Sequence, residues 1–320
     1  MLACSLFCAI LAAASGARAQ RAQQAQDGAQ IADQDDSPAV PNPSSVVLAG
    51  RPTPADHDTE ALEWRWRLFT LADLAVTAVG GGLTLAAAIV SPRGVHLSGP
   101  VLFDTAARNA LRANTLQARY MFRDASDVGL SLIVTWPFFA DALAAAWWYR
   151  GNREVAEQMA LINLQTLAIS GALQGVVNVL ASRERPFGRT CGSEELPSAA
   201  IDCEGTFHYR SFFSGHSAFS FTSAALICTD HLQHELLPAP WGAVSCAAGY
   251  AVAATTAAFR VVADVHYASD VAVGALLGTL VGYGVPWLHY HKVNVGSLQT
   301  GTLRIQIVPS ALGMGAVGSF

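Results

Sequence analysis

Residues 241–290 read WGAVSCAAGYAVAATTAAFRVVADVHYASDVAVGALLGTLVGYGVPWLHY. Two apolar runs, 241–262 and 269–290, flank a short polar junction. Each approaches the ~20 residues that a helix needs to cross the hydrocarbon core of a bilayer. The formal charges of the stretch, Arg260, Asp264 and Asp270, all sit at or beside that junction. Working outward, further helix-length apolar stretches cover roughly 66–91, 128–149, 155–181 and 216–237. Trp and Tyr gather at several of their ends, as in Trp147-Trp148-Tyr149, Trp241 and Trp287 to Tyr290. That is the placement amphipathic rings take at a membrane interface. The reading is an all-α bundle of about six apolar helices, membrane-embedded, with a short irregular or β-like C-terminal tail.

Composition agrees. Charged residues make up 13% of the 320, against about 25% in an average soluble domain. A net charge of −5 offers no basic footprint for a phosphate backbone, so nucleic acid is not an expected partner. Residues 1–19 end in Ala17-Arg18-Ala19 and read as an export leader, with an uncleaved anchor as the alternative. Residues 20–62, rich in Gln, Asp, Ser and Pro, read as a tether that cannot bury enough surface to order itself. The helical domain is then 63–291 and the tail 292–320. Within the domain, 99–127 carries mixed charge with Leu102, Ala106, Leu111 and Leu116 at helical spacing, and reads as one amphipathic surface helix. The tail alternates like a strand.

Cys228 and Cys246 fall in apolar helices, where thiols act as small hydrophobes. Cys191 and Cys203 flank a polar loop and read as a disulfide, which implies an oxidising compartment. Zinc finds no CxxC or histidine pair there.

Three clusters carry chemistry: Arg185-Pro186 after the third stretch, Ser214-Gly215-His216 before the fourth, and Arg260, His266 and Asp270 between the last two. In an up-and-down bundle these junctions share one end. Arg185 and Arg260 match the oxygens of a dianionic phosphate. Ser214 and Gly215 open a helix whose first N–H groups face an incoming anion. His266 and Asp270 lie one helical turn apart, so the carboxylate is expected to hold one ring nitrogen and leave the other to attack. His216 is expected to protonate the leaving oxygen. A serine hydrolase built on Ser214 lacks the Gly-x-Ser-x-Gly context.

Together, Asn178-x6-Arg185-Pro186, Phe213-Ser214-Gly215-His216 and Phe259-Arg260-x5-His266-x3-Asp270 resemble the type 2 phosphatidic acid phosphatase superfamily, over about residues 128–290. That superfamily's signature has Lys, Pro and Ser where this chain has Asn178, Phe213 and Phe259. It includes lipid phosphatases, soluble acid phosphatases and vanadium haloperoxidases. The resemblance implies hydrolysis of a lipid or isoprenoid phosphate through a phosphohistidine on His266, with His216 as the acid and no metal or other cofactor. Asn178, two helical turns before Arg185, is expected to face the same pocket and donate one hydrogen bond without charge. Losing one transition-state contact of this kind costs about 10²–10³ in rate. A weakened or inactive phosphate- or lipid-binding membrane protein is therefore an alternative, and a soluble exported acid phosphatase is another. Arg183 would point about 160° away from Arg185 if both were helical.

Parity raises a conflict. With the leader cleaved and all six stretches crossing, the catalytic end faces the cytoplasm, against the disulfide. Leaving out the first stretch, which carries Asp73 and Gly80-Gly81-Gly82, turns the site towards the periplasm and leaves Arg150 and Arg153 inside.

Overall fold

Among the described residues, six long helices run alternately up and down. A computed structural model describes residues 62–92, 97–193, 196, 203, 207–291 and the strand segments 297–300, 303–310 and 313–319. The expected leader (1–19) and nearly all of the tether (20–62) lie outside the described residues. Helix α1 is Leu71–Ile89, started by a Thr70–Asp73 capping box. A short α2, Asp104–Leu111, follows. Helix α3 runs Leu116–Trp136 and continues as a wider π-helical segment, Pro137–Tyr149. The widening begins at Pro137, which has no N–H to give to the preceding turn. Helix α4 is Arg153–Ala181, capped by the Asn152 side chain on Val155 N at 3.0 Å. Helices α5 (Gly215–His234), α6 (Trp241–Val262) and α7 (Ala268–Tyr290) complete the bundle. An antiparallel meander, β1 (Ser297–Thr300), β2 (Leu303–Ser310) and β3 (Gly313–Ser319), forms the tail, with Ser297 opposite Gln306 and Ile307 opposite Ala316.

Two expectations change here. The segment 99–127 is not one surface helix: the chain breaks at 112–115, and residues 116–127 are the first turns of a crossing helix. The glycines at 80–82 do not interrupt α1, which is continuous and among five helices long and apolar enough to cross a membrane. Gly80 instead lets α1 lie against α4, since a Cβ there would come within 3.0 Å of Ala168 O. The first stretch therefore has no structural reason to be left out as a crossing.

The bundle's exterior is apolar. Leu71, Val79, Leu85, Ile89, Leu132, Leu180, Leu276 and Leu280 are all more than half exposed. A water-facing surface rarely carries so continuous an apolar patch, and hydrocarbon is the solvent that suits it. Polar groups lie inside instead. Helix α5 buries Ser217, Ser220, Thr222, Ser223, Thr229, Asp230 and His231, which keeps it out of the most apolar set although it is the central helix. Far from the site, Asp230 accepts from Asn163 at 2.9 Å, Asp141 meets His231 at 3.1 Å, and His234 meets Tyr290 at 3.2 Å. Charge inside a membrane is tolerated only where such partners replace water.

Cys228 and Cys246 are bonded to each other, tying α5 to α6, so they are not free thiols. The residues had looked inert only because nothing in sequence shows that two adjacent helices bring them together. Helices α5 and α7 pack through Gly274, Gly278 and Gly282, one per helical turn. A Cβ at Gly274 would lie 2.7 Å from Ser214 O, and one at Gly282 2.7 Å from Thr222 O, while one at Gly278 would overlap Ala218 O. Small residues at such spacing let helix backbones approach. Gly278→Ala should destabilise the fold by about 1–3 kcal/mol through overpacking against backbone that cannot yield. Thermal unfolding of the purified protein in detergent measures this, and an unchanged midpoint would show that α5 and α7 are free to separate.

Candidate active site

Helix α4 stops at Ala181, where Ser182 takes a left-handed conformation (φ 41°) and turns the chain. Arg183 therefore leaves the helix and plunges into the protein, wholly buried between Asp104 and Asp270. It donates to Asp104 at 2.7 Å, to Ser269 Oγ at 2.9 Å and to Gly99 O at 2.8 Å, and lies 4.2 Å from the centre of the Tyr267 ring. The helical estimate of its direction fails because the helix has ended. With two carboxylates on it, Arg183 anchors the junction and supplies no spare charge to an anion.

Asp270 is the N3 residue of α7 and reaches back to cap the helix, accepting from Tyr267 N at 3.0 Å. It also accepts from Ser211 Oγ at 2.5 Å and from Arg183. The expected hydrogen bond to His266 is not made: Oδ2 stands 3.9 Å from His266 Nδ1. Nδ1 meets the backbone carbonyl of Ser211 instead, at 2.8 Å. A carbonyl can only accept, so Nδ1 carries the proton and Nε2 keeps its lone pair. Burial holds the pKa of His266 down from 6.5 to about 3, the positive fields of Arg185 and Arg260 push the same way, and Asp270 opposes them. At neutral pH the ring is an uncharged base.

Asn178 is buried on the last turn of α4, and one N–H of its Nδ2 goes to Phe212 O at 3.1 Å. Gln174, one turn earlier, donates to Phe213 O at 3.0 Å. Three successive carbonyls, of residues 211, 212 and 213, are thus gripped by His266, Asn178 and Gln174. The Ser211 N–H closes on Arg183 O at 3.0 Å. Sequence reasoning missed this clamp because its acceptors are main-chain atoms, which no residue type announces.

The clamped segment delivers Ser214, fully buried, as the N-cap of α5. Its side chain accepts from Ser217 N at 3.4 Å, and its own N–H donates to Asp270 O at 3.1 Å. The hydroxyl serves the helix, leaving the first-turn N–H groups at Gly215 and His216 without intrahelical acceptors. His216 and Arg260 meet at Asp127 of α3. One oxygen of this carboxylate, Oδ1, lies 2.6 Å from His216 Nε2 and 3.1 Å from Arg260 Nη1. The Arg260 side chain is only 5% exposed, while Asp127 is 56% exposed at the mouth. The charges of Arg185 and Arg260 act on both imidazoles, so all three clusters converge at one end of the bundle. Asp264 does not join them. It is buried and paired with Arg108 at 2.6 Å and Arg112 at 2.8 Å, which fastens α2 to the α6–α7 junction. Beside the site, Cys191 and Cys203 are bonded and pack on a cluster of Phe187, Leu196, Ala263 and Val265. No metal-holding group of His, Cys, Asp or Glu occurs among the described residues.

The sequence pattern of the PAP2 superfamily matches residues 160–294, a span that contains Asn178, Arg185, Ser214, His216, Arg260, His266 and Asp270 but neither Asp104 nor Asp127. Residues 160–294 are a PAP2 superfamily domain. The chain is 26% identical over 185 residues to a lipid A 1-phosphatase of Porphyromonas gingivalis (strain ATCC 33277), an alignment covering 55% of this chain and 36% of that protein. The chain therefore spans about a third of the length of that curated relative. Among solved structures, a transmembrane PAP2 type phosphatidylglycerolphosphate phosphatase from Bacillus subtilis aligns with 19% identity and a TM-score of 0.41, over 68% of this chain and 95% of its own.

Within the PAP2 domain the Asn178 contact is open to test. Asn178→Ala leaves the Phe212 carbonyl buried without a donor and should lower stability by about 1–3 kcal/mol. Denaturation in detergent reads the effect. Stability equal to wild type would show that water or another donor satisfies the carbonyl.

Proposed function

We propose that this PAP2 domain is a phosphatase for a lipid or isoprenoid phosphate, working through a phosphohistidine on His266. The observation that carries the reading is the Nδ1–H of His266 held by Ser211 O, which leaves Nε2 unprotonated beside two arginines and a second histidine. Nε2 attacks phosphorus, Arg185 and Arg260 hold the non-bridging oxygens with the first-turn N–H groups of α5, and His216 gives a proton to the departing oxygen. The same ring then takes a proton from water as the P–N bond is hydrolysed. No metal is needed in this scheme. A lipid substrate suits a site at the end of a bundle with an apolar exterior, and the lipid A 1-phosphatase relative points the same way.

Release of inorganic phosphate from a lipid phosphomonoester by the purified chain tests this. His266→Ala should lower it by at least roughly 10³-fold, since the nucleophile is the step's covalent partner. Equal release by wild type and variant would end the phosphohistidine reading.

A second reading rests on Asn178. With an uncharged amide at 178 and Arg183 paired with two carboxylates, the site holds Arg185 and Arg260 but no third cation from the α4 end. A protein that binds lipid phosphate and turns it over slowly or not at all fits that shortage. An acid-labile phosphoenzyme favours the phosphatase, and binding without one favours the alternative.

We further propose that the site faces the periplasm. Six crossings put residues before α1 and after α7 on the side opposite the site. Arg150 and Arg153 lie on that opposite side, as the positive-inside tendency requires. The Cys191–Cys203 bond favours an oxidising compartment over the cytoplasmic side that a leader cleaved after Ala19 would give. Leu102, 89% exposed near the site end, gives a handle. In intact cells, a membrane-impermeant maleimide should label Leu102→Cys, and labelling only after lysis would reverse the orientation.

A further inference from the structure

Asp127 lies outside the PAP2 match, yet its Oδ1 holds two groups of the site at once, His216 Nε2 at 2.6 Å and Arg260 Nη1 at 3.1 Å. Helix α3 fixes where that carboxylate stands, because the buried Ser126 beside it donates to Thr256 O of α6 at 3.1 Å. We infer that Asp127 is a positioning residue that pairs with His216, turning the ring so that Nδ1 rather than Nε2 serves the leaving oxygen. The inference rests on the acid role proposed above for His216.

The nitrogens that His216 has available decide its role. Nε2 is engaged by a carboxylate, which can only accept, so Nε2 carries a hydrogen directed at Asp127. The proton for the substrate must then come from Nδ1, and a ring protonated on both nitrogens is an imidazolium. Arg260 from α6 and Arg185 from the loop after α4 bring positive charge to the ring, and Arg123, one turn earlier on α3, brings it to Asp127. His266, neutral, adds none. Asp127 is the carboxylate that faces His216 and offsets them.

The step balances without further reagents. His266 Nε2 forms the P–N bond as the P–O bond to the leaving group breaks, and the Nδ1 proton of His216 passes to that oxygen to give the free alcohol. His216 is left neutral, with Nε2–H still on Asp127. In the second half Nδ1 takes a proton from water as the oxygen forms its bond to phosphorus and the P–N bond opens.

Two substrates separate this role from a merely structural one. Phosphatidic acid has a poor leaving group and needs an acid, whereas p-nitrophenyl phosphate departs as a stabilised phenolate and does not. Asp127→Asn, isosteric at a half-exposed position, should lower kcat on phosphatidic acid by at least roughly tenfold, within the 10²–10⁴ that a general acid contributes. The initial burst of p-nitrophenolate, which reports P–N bond formation without the later hydrolysis, should change by less than about threefold, and the alkaline limb of the phosphatidic acid profile should shift to lower pH. Asp127→Glu should recover part of the loss. An equal loss in the p-nitrophenolate burst and in phosphoenzyme formation from phosphatidic acid would make Asp127 structural, and a gain in both would make it a carboxylate that blocks the anion pocket. Either result overturns the pairing, provided that His266→Ala is inactive on both esters. Activity in His266→Ala would instead overturn the underlying phosphatase mechanism, and the pairing with it.

Discussion

One backbone carbonyl, that of Ser211, decides how His266 is presented. A side-chain acceptor could rotate away or take up a proton; a carbonyl in a clamped segment does neither. Its place is set by Asp270 on Ser211 Oγ, by Arg183 O on Ser211 N, and by Asn178 on the next carbonyl along. Asp270 therefore acts on the histidine at one remove, through the residue that holds it. Burial does the rest by keeping the ring neutral. The two effects reinforce each other, because a neutral ring with one nitrogen engaged has a single lone pair left.

The fold was largely legible in the sequence, since apolar runs of bilayer length dominate it and leave little room for other architectures. What escaped depended on where helices begin and end. The break at 112–115 was hidden because leucines spaced across it keep a helical period. Gly80 to Gly82 looked like a break because glycine lowers helix propensity in isolation, whereas between packed helices the missing side chain is what permits contact. The site was legible as a set of residues and less so as a set of bonds. His266, His216, Arg260 and Asp270 do converge, as chain parity requires. Which atom meets which was beyond reach, because Ser211, Phe212 and Phe213 contribute main-chain oxygens. Asp127 was passed over as the last residue of a polar segment, at the edge of an apolar run.

The distribution of charge has one physical cause running through it. A chain with few charges in a medium that solvates none of them must give each a partner. Arg183 takes two carboxylates, Asp264 takes two arginines, and the far end pairs Asp141 with His231 and Asp230 with Asn163. Burying such groups is costly, and losing one partner costs more than the pair contributes. The network at the site end thus serves position: it fixes α2, the α6–α7 junction and the loop after α4 relative to one another.

The Cys228–Cys246 bond has a mechanical meaning. His216 rides on α5 and Arg260 on α6, and the bond couples those two helices covalently near their other ends. With α7 also seated on α5 through its glycines, the three helices that frame the chemistry are tied to one another beyond the pocket as well as at it.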